Sequence, residues 1–427
     1  MQTVGKIGRY DKGIPGTQCD NVAVLSMEQF SADYIAYLII GMIMRLVVNI
    51  GLSNLVNMVM VLRCLEMFQR DQLCQDLHSL SDRADCEYYY CIISEKMQSN
   101  IEKMQSLSGR NKVQCFYKEG ILLITKSTYE EAIFQAIKKG STVISPDIAE
   151  AFAKAIAKES RPAAKEGLEK TYESIQLSAR LGNPACPDTG WPIFYFKVGN
   201  ACQLEGGMMA LEEATRNAVR RATKEGYLRA TMKHPLTGFD PGDNVGNNVP
   251  DFTYQFVPGD DLEVTYVAKG GGSECFGGTR HRVVAFADGI KGIEKFVIDS
   301  FVEATRSGGI CPPNVLGIGI GGTANIAANL AKEAACLRTV GSQNPDPQFQ
   351  KIEEDLYEAL NSLGVGIMGI GGDTSVLGVH VEYAYTHIAG ICVAISSNCM
   401  VARRGSFRIC ADGTIQPMDS PNWFEGR

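Results

Sequence analysis

The chain has 427 residues, of which 45% are apolar, and it carries a formal net charge of −7 with a pI near 5.5. This length and composition suffice for two or three domains with substantial hydrophobic cores. The negative charge and the lack of a basic cluster with interleaved aromatic residues argue against nucleic acid or an anionic membrane as the main partner.

Fourteen cysteines are present. The first sixteen residues (MQTVGKIGRYDKGIPG) lack the apolar core of a signal peptide, so we predict a reducing, cytoplasmic location. In such a compartment most thiols are expected to be small buried hydrophobic side chains, and not halves of disulfides. Four cysteines in or beside apolar segments fit that description: Cys202, Cys336, Cys392 and Cys410.

Residues 1–124 differ in character from the rest and are predicted to form a helical extension of unknown role. Residues 35–62 are apolar, but their longest charge-free run has only 17 residues, which include three asparagines and a serine. That run is at the lower limit for a membrane span, so a buried or partner-facing helix is the favoured interpretation. The polar segment that follows contains four cysteines whose spacing matches no metal site: Cys64, Cys74, Cys86 and Cys91.

A helical subdomain is predicted over residues 125–182. Its first helix should cover about 127–140 and end at a glycine. A second helix should begin at Ser145-Pro146-Asp147, which supplies a capping hydroxyl, a proline in the first turn and an acid near the positive helix end. Pro162 should break this helix, and a third helix with one apolar face should run to about Arg180.

Residues 183–415 are predicted to form a mixed α/β domain, followed by a tail over 416–427. The predicted strands are 192–198, 315–321, 375–385 and 391–397, the last of these being the final strand. The predicted helices are 210–226, 291–309, 323–335 and 349–364. Residues 252–268 are predicted to form a β-hairpin with Pro258-Gly259-Asp260 as its turn.

Three cysteines lie in separate turns rich in glycine and proline: Cys186 in PACPDTGWP, Cys311 in GGICPPNVLGIGIGGT and Cys399 in ISSNCMVARR. Three thiolates can hold an iron–sulfur cluster and leave one iron without a protein ligand. Electron-transfer clusters normally use four protein ligands, whereas catalytic metals keep an open position. The pattern therefore predicts a cluster that does chemistry.

Four glycine clusters follow or bridge predicted strands, at 188–190, 269–273, 317–322 and 364–372. Glycine lets backbone N–H groups approach an anion, so four such turns favour a ligand site over simple chain reversal. Two of them formally match the dinucleotide pattern G-x-G-x-x-G. The elements that follow them are wrong for a Rossmann unit, so nicotinamide binding is disfavoured.

Together these motifs resemble the α subunit of the two-subunit class I fumarases and L-tartrate dehydratases, which are iron–sulfur hydro-lyases. The resemblance covers about residues 125–415 and implies the mixed-sheet, cluster-binding fold of that subunit. Five segments carry it, in the same order and with similar spacing: PACPDTGWPIFYFKVG, AKGGGSE, ICPPNVLGIGIGGT, GIMGIGGDTSVLGVHVE and THIAGICVAISSNCMVARRG.

The resemblance implies that Cys186, Cys311 and Cys399 carry a 4Fe–4S cluster with one bare iron. It assigns catalytic roles to Asp188 and His387. The substrate-binding residues that it implies are Arg229, Gly270, Gly271 and Gly272. Structural roles are the alternatives: a turn-capping acid for Asp188, a surface arginine for Arg229 and a hydrogen-bonded residue for His387. Two departures from the family are Pro187, where glutamine is common, and Cys275 after KGGGSE, which we expect not to cap the open iron.

The chemistry fits this residue set. Dehydrating a 2-hydroxy dicarboxylate requires an electrophile for the leaving hydroxide and a base for the neighbouring C–H proton. The two carboxylates require cationic or N–H partners, which an arginine and glycine turns supply. We therefore predict reversible hydration of fumarate to malate, with L-tartrate dehydration as the alternative within the class.

The chain ends 28 residues after Cys399, where single-chain relatives continue into a second half that carries further catalytic residues. We therefore expect activity only with a β subunit, with the site in the cleft between the subunits of an α2β2 assembly. A cluster-bearing sensor or electron carrier is the alternative from another class, and it would need a fourth ligand. A scaffold that has lost activity is the third.

Overall fold

The computed structural model describes residues 123–425, which belong to a compact unit comprising residues 120–427. The apolar segment 35–62 and the four cysteines that follow it lie outside the described residues. Within 123–425, no helix combines the length and the apolar character that crossing a bilayer requires.

Three helices open the described part: α1 (Lys126–Thr142), α2 (Pro146–Lys158) and α3 (Pro162–Leu181). The three predicted helices are thus present in the predicted order. The Thr125 side chain caps α1 by accepting from the Thr128 N–H. Ser145 occupies the cap position of α2, but its side chain makes no capping hydrogen bond, so only the proline and the acid act as predicted. Gly182 ends α3 in the left-handed conformation, with φ 68°.

Nine strands and five more helices follow within the described residues. In chain order they are β1 (Trp191–Gly199), α4 (Gly207–Lys224), β2 (Asp251–Val257), β3 (Leu262–Lys269), α5 (Gly271–Cys275), β4 (Thr279–Val284), α6 (Gly289–Arg306), β5 (Asn314–Ile320), α7 (Ala324–Leu337), α8 (Pro347–Ser362), β6 (Val376–Tyr383), β7 (Ile391–Asn398), β8 (Arg404–Ile409) and β9 (Ile415–Met418). The mixed α/β class that the sequence predicts is confirmed.

The strands form a five-stranded sheet, in the order β2-β1-β3-β8-β9, and a four-stranded sheet, in the order β4-β7-β5-β6. The prediction that 391–397 is the last strand is wrong, since β8 and β9 follow it. The predicted tail over 416–427 overlaps β9 and includes Trp423, which is buried with its ring 5.2 Å from that of Tyr195.

The predicted hairpin at 252–268 is wrong. Strands β2 and β3 form, but β1 lies between them, parallel to β2 and antiparallel to β3. Eight consecutive residues of β1 are buried, which is typical of a strand in the interior of a sheet and not at its edge. Aromatic side chains hold β2 against β1: the rings of Phe196 on β1 and Tyr254 on β2 stack with their centroids 5.6 Å apart.

The glycines of the GIGIGG run allow helix α7 to lie directly on β5. An ideal Cβ on Gly317 would be 2.1 Å from the Ala331 carbonyl oxygen, and one on Gly319 would be 1.9 Å from that of Ala327. No side chain fits at either position. This glycine cluster therefore serves close packing of a helix on a sheet, which accounts for it without a bound dinucleotide.

A buried histidine on β6 makes the stability of this core depend on pH. His380 is 1% exposed and its Nδ1 lies 3.3 Å from the Ala334 carbonyl oxygen. Burial, aided by the positive charges of Arg338 and Arg404, lowers the pKa of His380 from 6.5 to about 3, although Asp147 opposes the shift. The unfolded chain therefore binds a proton near pH 6.5 that the folded chain refuses until much lower pH.

We expect His380→Gln to flatten the pH dependence of unfolding. The stability due to neutral His380 is fully present above the unfolded pKa. It falls by up to about 1.4 kcal/mol for each pH unit below it, until the folded pKa is reached. Urea unfolding between about pH 7 and about pH 5 measures this slope. The exposed His281→Gln should retain the slope of the unaltered protein, and an equal slope in His380→Gln would contradict the assignment.

Candidate metal centre

The antiparallel pairing of β5 with β7 brings two of the three predicted cysteine ligands to one end of the four-stranded sheet. Cys311 lies in the turn before β5 and Cys399 follows β7 directly, and Val315 pairs with Asn398 in this register. The Met400 N–H donates to the Cys311 carbonyl oxygen at 3.3 Å. The two turns are therefore in direct contact.

Cys186 reaches the same place from the turn between α3 and β1. Its neighbour Ala185 packs on the apolar cluster that Cys311 and Cys399 also contact. The pKa of the Cys186 thiol is raised overall. Burial is the largest cause and the nearby Cys399 adds to it, whereas the Arg403 charge opposes the shift. Burial, followed by the nearby Cys399 and Cys186, raises the pKa of the Cys311 thiol. The three thiols thus share one partly buried environment.

The arrangement of these thiols can be compared with that around a single ion. Among the described residues, no group of three Cys, His, Asp or Glu side chains is arranged to hold one metal ion. A cluster presents a different iron to each cysteine, so its three sulfur ligands need a wider spacing than the ligands of one tetrahedral ion.

Asp188 lies against the KGGGS turn. Its Oδ2 accepts from the Gly271 N–H at 2.7 Å and its Oδ1 accepts from the Gly190 N–H at 3.1 Å. The structure thus brings Asp188 together with the predicted substrate-binding glycines. It also shows that the Gly271 N–H already has a carboxylate partner.

The backbone of Arg229 is hydrogen-bonded to Thr189, the residue after Asp188. The Thr189 hydroxyl oxygen accepts from the Arg229 N–H at 2.9 Å, and the Asn244 side chain donates to the Arg229 carbonyl oxygen at 3.0 Å. Arg229 is an exposed residue. Arg229 therefore stands beside the Asp188 turn, with its charged group free to meet an incoming anion.

His387 lies at the opposite end of the four-stranded sheet. It is an exposed residue in the connection from β6 to β7, where its Nδ1 accepts from the Ala389 N–H at 3.1 Å. Cys399 follows the other end of β7, a strand of eight residues, which places about 25 Å between them. Within one chain, the structure does not bring His387 to the cysteines.

A buried ion pair that the sequence analysis missed holds the KGGGS turn in place. Lys269 is 0% exposed, and its Nζ lies 2.6 Å from Ser396 Oγ on β7 and 3.0 Å from the Glu274 carboxylate. Lys332 approaches the same carboxylate at 2.6 Å. Burial raises the pKa of Glu274, but the two lysines outweigh it and hold that pKa below its usual value. The sequence contains this ion pair within KGGGSE, whose first residue is Lys269 and whose last is Glu274.

Two glycine turns brace the turn that carries Cys311. The Met368 N–H, in the 364–372 cluster, donates to the Pro312 carbonyl oxygen at 2.9 Å. On the other side, an ideal Cβ on Gly272 would lie 2.0 Å from the Gly309 carbonyl oxygen. The KGGGS turn and the Cys311 turn can therefore touch only because residue 272 has no side chain.

Arg403 is a second residue that the sequence analysis missed. Its side chain is 2% exposed and feels the charges of Cys399, Cys186 and Asp188. An ideal Cβ on Gly270 would lie 3.5 Å from Arg403 Nη2 and 2.8 Å from Asp188 Oδ2. The guanidinium therefore faces the cysteines and the glycine turn together. In the sequence, only the pair of arginines that ends ISSNCMVARR indicates a cation close to Cys399.

A separate cavity of about 360 Å³ lies between α2, α8 and β6. Its lining includes Asp147, Lys154, Glu353 and His380, and it contains none of the three convergent cysteines. The candidate centre at the three cysteine turns is thus separate from this cavity.

About two thirds of the chain is similar to known proteins. The family described as fumarate hydratase (Fumerase) matches residues 130–408. The chain is 36% identical over 287 residues to "Putative L(+)-tartrate dehydratase subunit alpha" of Methanocaldococcus jannaschii, covering 67% of this chain and 99% of that protein. It is 37% identical over 246 residues to the L(+)-tartrate dehydratase subunit alpha of Escherichia coli (strain UTI89 / UPEC), covering 57% of this chain and 78% of that one.

Two alanine substitutions in the KGGGS turn should differ sharply. Gly272→Ala forces a Cβ into the Gly309 carbonyl, so we expect it to lower the free energy of unfolding by about 2–3 kcal/mol. In Gly271→Ala the nearest atom to the new Cβ is Asp188 Oδ2 at 3.7 Å, so the change should stay below about 1 kcal/mol. Urea unfolding compares the two variants, and equal stabilities would show that the two turns do not touch as described.

Proposed function

Since this chain belongs to the fumarate hydratase (Fumerase) family, we propose that it is the α subunit of an iron–sulfur hydro-lyase that catalyses the reversible hydration of fumarate to malate. The observation that carries the proposal is the convergence of Cys186, Cys311 and Cys399 beside Asp188 and the KGGGS turn. L-tartrate dehydration is the second candidate, which the names of the two relatives favour.

A 4Fe–4S cluster on the three cysteines is the proposed cofactor. Its support is the shared environment of the thiols and the buried Arg403 guanidinium that faces them. When bound, such a cluster supplies a Lewis-acidic iron for the hydroxyl group that is added or removed.

The chain's own residues are proposed to bind and orient the dicarboxylate. The guanidinium of the exposed Arg229 takes one carboxylate through charge-assisted hydrogen bonds. Gly271 donates its N–H to Asp188, so Gly270 and Gly272 carry the other N–H groups proposed for substrate. Asp188, fixed by two backbone N–H groups, is the proposed proton-handling or orienting carboxylate at the reacting carbons.

The proposed assembly contains a β subunit, in an α2β2 arrangement with the substrate between the subunits. The names of the relatives, which are subunits alpha, support a partner chain. Because His387 lies about 25 Å from the cysteines of its own chain, its proposed catalytic role applies to a site that a second copy of the chain completes.

Removal of any one of the three cysteines should remove the cluster. We expect the chain, purified without air together with its β subunit, to contain about four iron and four sulfide per α subunit. Cys186→Ser, Cys311→Ser and Cys399→Ser should each lose most of this iron and the hydratase activity. The exposed Cys275→Ser is the matched control and should keep both. Full iron content in a Cys311→Ser preparation would overturn the ligand set.

Assays with both fumarate and L-tartrate decide the substrate, and Arg229 tests its recognition. We expect Arg229→Gln to raise KM by about 10–100-fold for the true substrate, because a charge-assisted pair to a carboxylate is lost. Arg221→Gln, a partly exposed arginine of α4 that pairs with Glu131 and Glu225, should leave KM unchanged. An unchanged KM in Arg229→Gln would show that this guanidinium does not meet the substrate.

A further inference from the structure

Arg403 is a buried cation that forms no ion pair in the described part of the chain. Its side chain is 2% exposed, no carboxylate oxygen of the described residues lies within 4.0 Å of it, and its Nε has no hydrogen-bond partner. Burying an unpaired charge is unfavourable. The Asp188 carboxylate acts on the guanidinium from beyond ion-pair distance and already accepts from two backbone N–H groups, so it compensates this charge only in part.

The next residue shows how this fold satisfies a buried arginine. Arg404 is 4% exposed, and its guanidinium forms an ion pair with Asp147. It also donates to the carbonyl oxygens of Cys336 at 3.2 Å and Arg338 at 3.0 Å. Two adjacent arginines of similar burial, each with an Nε that lacks a hydrogen-bond partner, therefore differ in one respect: within the described residues, only Arg404 has a carboxylate within ion-pair distance.

The backbone directs Arg403 at the cysteines. The Ala402 N–H donates to the Cys399 carbonyl oxygen at 2.8 Å, and Ala402 has φ 40°, so the chain turns back sharply after Cys399. The Arg403 carbonyl oxygen then accepts from the Ala268 N–H at 3.2 Å, which anchors the residue to β3. Its side chain is left beside Cys399, Cys186 and the Asp188–Gly270 contact.

We propose that Arg403 is the internal counter-charge of the iron–sulfur cluster, a positioning residue that acts through its positive charge. This inference rests on the proposed cofactor. An oxidised 4Fe–4S core with three thiolate ligands carries a net charge of about −1, which one guanidinium balances. Its positive charge favours the more negative, reduced cluster, and it retains the cluster in the protein.

The test compares Arg403 with its neighbour in the complex with the β subunit, purified without air. Arg403→Gln should shift the cluster reduction potential to a more negative value and lower the iron and sulfide content. Arg403→Lys retains the charge and should restore the potential most of the way. Arg404→Gln should reduce the melting temperature, because Asp147 is left unpaired, without moving the potential. An Arg403→Gln cluster with the potential and the electron paramagnetic resonance spectrum of the unaltered enzyme would overturn the proposal.

A second measurement needs no loaded enzyme. After removal of the cluster by chelation, Arg403→Met should melt at a higher temperature than the unaltered complex, since an uncompensated buried charge is gone. Arg404→Met should melt at a lower one. A lower melting temperature for cluster-free Arg403→Met would show that the guanidinium is satisfied by the protein itself. A complete lack of cluster in the unaltered complex would refute the proposed function, whereas a normal cluster in Arg403→Gln would refute only this inference.

Discussion

The antiparallel register of β5 and β7 is the constraint on which the rest of the centre depends. These strands place the turn before one and the turn after the other at the same end of the sheet, which brings residues 311 and 399 together across 88 positions of sequence. A shift by one residue would move every side chain of β7 to the opposite face and remove Cys399 from Cys311. The close contact of α7 with Gly317 and Gly319 fixes the position of β5, because a slip by one residue would place side chains where only glycine fits.

The glycine clusters, which look alike in the sequence, serve different purposes in the structure. Gly317 and Gly319 let α7 approach β5, and Gly272 lets two turns meet at Gly309. In both cases the missing side chain makes room for backbone. Residues 190, 270 and 271 lie beside Asp188, whose carboxylate accepts from the N–H groups of Gly190 and Gly271. Close backbone contact therefore accounts for Gly272, Gly317 and Gly319, whereas Gly190 and Gly271 hold a carboxylate of the chain itself.

Local patterns predicted most helices and the central strands, because apolar periodicity and proline or glycine boundaries are properties of a single segment. Strand order was not predictable in the same way: the Pro258 turn favours a hairpin, yet β1 inserts between the two strands because it is buried on both faces. Strand β8 was missed because arginines at positions 404 and 408 interrupt its apolar pattern. The three cysteines were identified from their turns, whereas Lys269 and Arg403 were not, since burial of a charge is decided by tertiary contacts.

The candidate centre differs from the rest of the described core in the partners of its buried cation. Lys269 has Glu274, and Arg338 has Glu353 and Glu382. Lys197 lacks a carboxylate, but two backbone carbonyl oxygens, of Asn422 and Glu425, accept from it. The Arg403 side chain has neither kind of partner and lies where three thiols converge. Since the other buried cations of the described core have carboxylate or carbonyl partners, the charge of Arg403 supports the proposal that an anionic group binds there, where the proposed iron-bound thiolates would add to the nearby Asp188 carboxylate in balancing it.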